Sequence, residues 1–326
     1  MLYARTGINK INTGLILEAI SLTLHFLNET YFLTYSHRYA YLVAAHHQMQ
    51  LLQILLHLID DERNEIYLHV DKKCKELKEE EFRQTVKKAK IHFIERRSVT
   101  WGGYSQIQLE LDLLKEATNT YHDYYHLISG VDLPLKSQNE IYNFFEIHKG
   151  MQFVSYDYKM DVDDVTNRMA QYRLFQDFYG NKKNILFKLD ALLIRVQKLL
   201  GINRIKHISE SIKKGANWFS ITHEFARYVI SKEEDIQKQY RFTRCCDEVF
   251  LQTLLYNSSY SLNMYFDEDS KRYYNMRYVD FQRGNPYVFR IDDKGLLNSR
   301  KEIFARKFDY VIDKDIIFNL RDRITN

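Results

Sequence analysis

Between Tyr39 and Ser155 the chain alternates short apolar runs with longer stretches of helical spacing, and few architectures accept that pattern. Ala40–Ala45 (AYLVAA) reads as a buried strand. His46–Ile59 then carries Leu51, Leu52, Leu55, Leu56 and Ile59 at helical intervals. A polar turn at Asp60–Asn64 leads to a second strand, Glu65–Val70. A charged helix over Leu77–Lys88 and a third strand at Ile91–Ile94 follow. Gly102-Gly103 is a turn before an amphipathic helix, Ser105–Thr118, with Ile107, Leu111 and Leu114 on one face. Tyr124–Ile128 is a fourth strand, Gln138–His148 a helix, and Gln152–Ser155 another strand. Strands alternating with helices of this length imply βαβ units. The expected class is α/β, with a mostly parallel central sheet flanked by helices. Such sheets bind ligands beyond the carboxyl ends of their strands, so the residues just after each strand are the first candidates.

The second half is less regular. Arg168–Asp177, Ile185–Leu200 and Asp247–Tyr256 read as helices, and Trp218–Ile221 and Arg277–Phe281 as strands. Thr222 caps a further helix. No linker rich in Gly, Pro or Ser divides the chain, and no repeat appears.

Composition narrows the classes. At 45% hydrophobic and 28% charged residues the chain can bury a core, which excludes wholesale disorder. A net charge of +4 lacks the basic field of a nucleic-acid binder. Cys74 and the adjacent Cys245 and Cys246 form neither a disulfide framework nor zinc spacing, which fits a reducing compartment. The 25 tyrosines suit polar, ring-shaped ligands or an ordinary core. Among them Tyr104, Tyr156, Tyr158 and Tyr172 are the candidates for contact with such a ring. Within residues 1–37, Ile11–Asn28 is fairly apolar but carries Glu18 near its middle. A carboxylate at the centre of a spanning helix costs roughly 2.5–3.5 kcal/mol. That segment is therefore expected to be an amphipathic or dispensable extension rather than an anchor.

The residues after the strands carry the chemistry. His69 and Asp71 share one side of a strand end, where Asp71 suits a ribose hydroxyl, a base N–H or a solvated turn. Ser129–Leu135 holds Gly130, Asp132 and Pro134, either a tight turn or a turn beneath a sugar nucleotide. Trp101 precedes Gly102 and Gly103, a setting for stacking on a ring or for plugging the core. Trp218 is the second Trp. Asp247 and Glu248 open a helix, where they serve the helix dipole or supply a general base partly shielded by Phe250 and Trp218. Arg306 and Lys307 stand between Phe304 and Phe308, with Arg283 and Arg290 upstream. Cations within an apolar run point to diphosphate recognition.

Taken in order, IYLHVDKK, VTWGG, YYHLISGVDLPL, GANWFSIT, DEVFLQTLL and FARKFD resemble glycosyltransferase family 14. This is the core-2/I-branching β-1,6-N-acetylglucosaminyltransferase family, which includes peptide O-xylosyltransferases. The resemblance spans about Tyr39 to Asp309 and leaves residues 1–37 outside. It implies a GT-A-type nucleotide-diphospho-sugar transferase fold. Residues 38–326 would be one catalytic domain, with 38–156 the nucleotide-binding half and 157–326 the acceptor-binding and catalytic half. It also implies inverting transfer from a UDP-sugar, foremost UDP-N-acetylglucosamine, to a glycan or lipid-linked saccharide, with no metal or other cofactor.

By that resemblance Glu248 is the catalytic base, and Lys307 with Arg306 and either Arg283 or Arg290 holds the diphosphate. His69, Asp71, Trp101, Gly102 and Asp132 line the donor, and Arg168, Arg173, Trp218 and Asp247 face the acceptor. It points to a bacterial member building surface polysaccharide, cytoplasmic or peripheral on the inner membrane face, with no nucleic-acid partner. A xylosyltransferase of the same fold and a catalytically silent glycan- or nucleotide-binding protein are the alternatives. Metal-dependent relatives of this fold carry Asp-x-Asp after a strand. The triplets at Asp161–Asp163, Asp267–Asp269 and Asp313–Asp315 are the ones to locate.

Overall fold

Every residue of the second and fourth strands is buried, and six of seven in the first, which is why they read as unbroken apolar runs. The computed structural model describes residues 38–75, 77–157, 162–208 and 210–325. The extension 1–37, Tyr158 and Asp161 lie outside the described residues.

In chain order the first half contains β1 (Tyr39–Ala45), α1 (Met49–Leu58), β2 (Asn64–Val70), α2 (Glu79–Thr85), β3 (Lys90–Phe93), α3 (Ser105–Ala117), β4 (Tyr124–Ser129), β5 (Leu133–Pro134) and α4 (Gln138–Ile147). The second half contains α5 (Val162–Met169), α6 (Gln176–Tyr179), α7 (Ile185–Leu199), β6 (Ser220–Thr222), α8 (His223–Ser231), α9 (Glu233–Tyr240) and α10 (Phe250–Tyr256). The hairpin β7 (Phe266–Asp267) and β8 (Arg272–Tyr273) follows. Then come β9 (Arg277–Val279), α11 (Lys294–Asn298), β10 (Phe304–Arg306) and α12 (Lys314–Thr325).

The main sheet runs β3-β2-β1-β4-β6. Its first four strands are parallel, and β6 is antiparallel to β4. This is the expected α/β class, a mostly parallel sheet flanked by helices. The two-residue period of β1 divides the core. Tyr39, Tyr41, Val43 and Ala45 face one cluster, with α1 and α4; Ala40 and Leu42 face the other, with α3 and α8. Strand order reverses between β1 and β4, so the crevice for a ligand opens beyond their carboxyl ends. A small sheet, β5-β10-β9, brings β10 to that crevice.

Several expected elements are shorter, for identifiable reasons. The helix read over Leu77–Lys88 stops at Thr85, because the Asp60 carboxylate takes the N–H groups of Lys87, Lys88 and Ala89, each at 2.8 Å. Gln152–Ser155 makes only isolated bridges, Gln152 to Met264 and Phe153 to Ser220. The helix read over Arg168–Asp177 is broken. Tyr172, Arg173 and Leu174 give their N–H groups to Gln197, Phe242 and Asp190 instead of to helical carbonyls. The Asp247–Tyr256 helix splits into a 3₁₀ turn at Cys246–Glu248 and α10. Part of the tyrosine excess is core: Tyr39, Tyr41, Tyr67, Tyr124 and Tyr125 are fully buried, and Tyr104 is buried too. Tyr156 is half-buried, and Tyr172 lies under the Arg204 guanidinium.

Candidate active site

Four chain segments converge at the crevice. β1 runs into His46 and His47, whose rings are 4.0 Å apart. Burial and the neighbouring ring pull His46 down to about 4. Burial and the Lys307 charge lower His47. Beyond β2, buried Asp71 accepts the N–H groups of Lys73 (2.8 Å) and Val99 (3.1 Å), and its own N–H donates to the Ala45 carbonyl. His69 is buried as well. Its Nε2 accepts the Arg97 N–H at 2.9 Å, so it pins the chain after β3 to β2, and burial pulls it down to about 4.

Beyond β4, the Asp132 carboxylate accepts the Ser129 N–H (2.8 Å) and hydroxyl (2.7 Å), closing the turn on itself. A Cβ on Gly130 would stand 2.9 Å from the Ala45 Cβ, so this turn meets β1 through a glycine. The FARKF strand lies alongside. Phe308 N–H donates to the Val131 carbonyl at 3.0 Å, and Tyr310 N–H to Gln48 Oε1 at 2.8 Å. Arg306 Nε is 3.5 Å from Asp132, and its guanidinium stacks 4.4 Å from the centre of the Trp218 ring.

The two upstream arginines separate clearly. Arg283 is engaged by Asp280 (2.6 Å) and Asp293 (2.7 Å). Arg290 is exposed and follows Phe289, whose N–H donates to the Lys307 carbonyl at 3.1 Å. Of the pair, Arg290 is therefore the one on the segment beside Lys307.

The second centre is the Asp-Glu pair. Glu248 accepts Arg168 Nη1 at 2.6 Å, and Arg168 also binds Asp164 at 2.9 Å. Burial works against the Arg168 charge, but the bonds to Asp164 and Glu248 raise its pKa regardless. Lys214 bridges Asp157 (2.9 Å) and Asp164 (3.3 Å). Arg173 turns away to the Asn167 carbonyl at 2.9 Å.

Asp247 is buried behind Glu248 and accepts Gln106 Nε2 at 2.9 Å. Behind it again, Glu110 of α3 is buried, hydrogen-bonds Asn217, and is pushed well up by burial and by Asp247. Trp101 is exposed beneath Arg244, so it does not plug the core. The Gly102 carbonyl accepts the Cys245 N–H at 2.8 Å, tying the VTWGG loop to the Asp-Glu pair.

One segment joins the two centres. Gly215 N–H donates to the Glu248 carbonyl at 3.0 Å, and three residues on, Trp218 carries Arg306. Three residues span at most about 11 Å. The arrangement thus ties the Asp-Glu pair to the cation-rich strand through one short segment.

Sequence reasoning passed over several members of this site. Glu110 lies on the Ile107–Leu111–Leu114 face of α3, and a carboxylate in that apolar phase was its visible signal. His46 and His47 directly follow β1, where the rule about strand ends applies. Asp267 and Asp269 are held by Lys301 at 2.6 and 2.5 Å, and Asp313 caps the turn before α12. Among the described residues no three His, Cys, Asp or Glu side chains converge as a metal site.

Asp247 supports a prediction about pH. Burial and the Glu248 charge push its carboxyl from 3.8 up to about 7. The folded protein thus keeps a proton that the unfolded chain releases. Its contribution is whole below about pH 4 and is lost as the pH rises through about 7, a change of a few kcal/mol at most. Buried histidines titrate with the opposite sign, so the informative quantity is the difference between wild type and Asp247→Asn. Urea midpoints from about pH 4 to 8 should show wild type falling relative to the variant. Parallel curves would refute the buried, proton-holding carboxyl.

Several known proteins are similar to this chain. Rat xylosyltransferase 2 is 24% identical over 304 residues, covering 86% of this chain and 33% of that protein. Human xylosyltransferase 1 is 24% identical over 273 residues, covering 78% of this chain and 27% of its own length. Xylosyltransferase sqv-6 of Caenorhabditis briggsae is 25% identical over 275 residues, covering 77% and 32%. The chain thus spans about a third of the length of the curated relatives it matches. Among solved structures, apo mouse xyloside xylosyltransferase 1 aligns over 82% of this chain and 96% of its own. It does so at 9% identity and a TM-score of 0.34. The family described as Core-2/I-Branching enzyme matches residues 39–295, most of the chain. The chain belongs to the core-2/I-branching enzyme family.

Proposed function

We propose that this protein is an inverting glycosyltransferase that moves a sugar, foremost N-acetylglucosamine, from a UDP-sugar to a glycan hydroxyl. The observation that carries the reading is the short Gly215–Trp218 link between Glu248 and Arg306. Glu248 accepts the proton of the incoming hydroxyl, whose oxygen attacks the anomeric carbon as the bond to UDP breaks. Arg306, Lys307 and Arg290 take up the charge that develops on the departing diphosphate, the task a divalent ion performs elsewhere. A single displacement inverts the anomeric centre, through an oxocarbenium-like transition state. Arg168 orients Glu248. Asp71 and Asp132 flank the nucleotide and the sugar. A bacterial surface polysaccharide, lipid-linked or not, is the acceptor class in this reading.

The names of the relatives support a second reading, in which the donor is UDP-xylose. Donor turnover separates the two. The purified chain is given UDP-N-acetylglucosamine or UDP-xylose in excess EDTA. One donor should release UDP at least roughly tenfold faster, the scale of discrimination that sugar-pocket contacts supply. EDTA should leave that rate unchanged. Loss of turnover restored by manganese would overturn the metal-free mechanism. Failure to bind or turn over either donor would overturn the transferase reading.

A further inference from the structure

Helix α7, ILFKLDALLIRVQKL, is built mainly of apolar residues, yet its buried residue is Asp190. That carboxylate accepts the Leu174 N–H (3.0 Å) and the Tyr179 hydroxyl (2.9 Å), fixing which side faces inward. The opposite side is apolar. Ile185, Leu189, Leu192, Val196 and Leu199 follow helical spacing and form one stripe, within an arc of roughly 100°. They are exposed: Ile185 by 75%, Leu192 by 55% and Leu199 by 88%. Phe178 on α6, packed beside α7, is 72% exposed as well.

The charge beside the stripe is one-sided. Lys182 and Lys183 precede α7, and Lys188, Arg195 and Lys198 are exposed along it. From residue 182 to 206 there are seven Lys and Arg against the single buried Asp190, whereas the whole chain has a net charge of +4. An apolar stripe sunk among cations, with the one carboxylate turned inward, is the pattern of a helix lying in a bilayer interface. A soluble partner would not need so uniform a sign.

We infer that α7, with Phe178, is a docking surface for an anionic lipid bilayer, the stripe entering the acyl boundary while the flanking cations meet the headgroups. The inference stands on α7 and does not depend on the reaction assigned to the site. It has a consequence for that site, because α7 also holds the segment leading from Arg168: Gln197 binds both the N–H and the carbonyl of Tyr172. A docked α7 would set the acceptor side of the crevice next to the membrane surface.

The test is sedimentation of the full chain with vesicles of phosphatidylglycerol and phosphatidylcholine, against phosphatidylcholine alone. Binding should require the anionic lipid and weaken with salt, since each cation near such a surface contributes about fivefold. Leu192→Asp with Val196→Asp should reduce partitioning by at least about tenfold. Both positions are solvent-exposed, so the unfolding midpoint should not move, and donor turnover without vesicles should stay at the wild-type level. Equal binding to neutral vesicles, or undiminished binding of the double variant, would overturn the assignment. So would a concentration-dependent dimer that the same variant abolishes without any vesicle binding, which would give the stripe to a second copy.

Discussion

Glu248→Gln should lower transfer by about a hundred- to ten-thousandfold while UDP binding stays near the wild-type level. The amide keeps the size of the side chain and keeps an oxygen facing Arg168 Nη1, 2.6 Å away in the wild type. What it loses is a base for the acceptor hydroxyl. Arg168 retains Asp164 at 2.9 Å, so the substitution leaves no isolated buried charge and the fold should hold. The check is kcat/KM for transfer beside a titration with UDP. Unchanged turnover in protein that still binds UDP would refute the assigned base. The neighbouring carboxyl gives the contrast. Asp247 is buried and bound to Gln106, so Asp247→Asn should disturb activity far less than Glu248→Gln. The reverse order would move the base to Asp247.

Gly215→Ala should damage both stability and turnover, although residue 215 carries no reacting group. A Cβ there would sit 1.9 Å from the Ser155 carbonyl oxygen and 2.8 Å from its carbon. Both are backbone atoms, so no side-chain rotation relieves the clash. Forcing such a contact costs about 1–3 kcal/mol or more. The shift falls on the segment whose N–H holds the Glu248 carbonyl and whose Trp218 supports Arg306. A misplacement of about 1 Å between reacting groups is worth roughly a hundredfold in rate. Gly295→Ala is the matched control. Its added methyl would meet nothing within 4 Å on α11, and Ala is the better helix former by about 1 kcal/mol. Urea midpoints and kcat/KM for both variants provide the measurement. Equal behaviour of the two would show that the link between the centres is not rigid.

Much of the architecture of the first half was legible beforehand, for a physical reason. Strands buried on both faces and helices buried on one impose different periods on the chain, and those periods survive in the residues. The turn at Ser129–Leu135 was readable too, because glycine, proline and a self-closing aspartate act within a few positions. Boundaries were less legible where a distant group competed for backbone hydrogen bonds. Asp60 ends α2 from about 27 residues away, and Phe242, Gln197 and Asp190 together break the helix read over Arg168–Asp177.

The site divides the same way. That Asp247 and Glu248 stand together, and that Arg306 and Lys307 interrupt an apolar run, is local and was read from the residues alone. That Arg168 holds Glu248 across 80 positions, and that Gln106 holds Asp247 across 141, depends on how the sheet brings chain segments together. The choice between Arg283 and Arg290 rests on two carboxylates that engage the first and a backbone pairing that sets the second beside Lys307. Helix α7 shows the limit most clearly. Its sequence determines that a helix forms and that its residues sort into faces. Which face turns outward was decided only in three dimensions. Burial of Asp190 beside Leu174 and Tyr179 satisfies a carboxylate that solvent would otherwise hold, and it leaves the apolar stripe exposed.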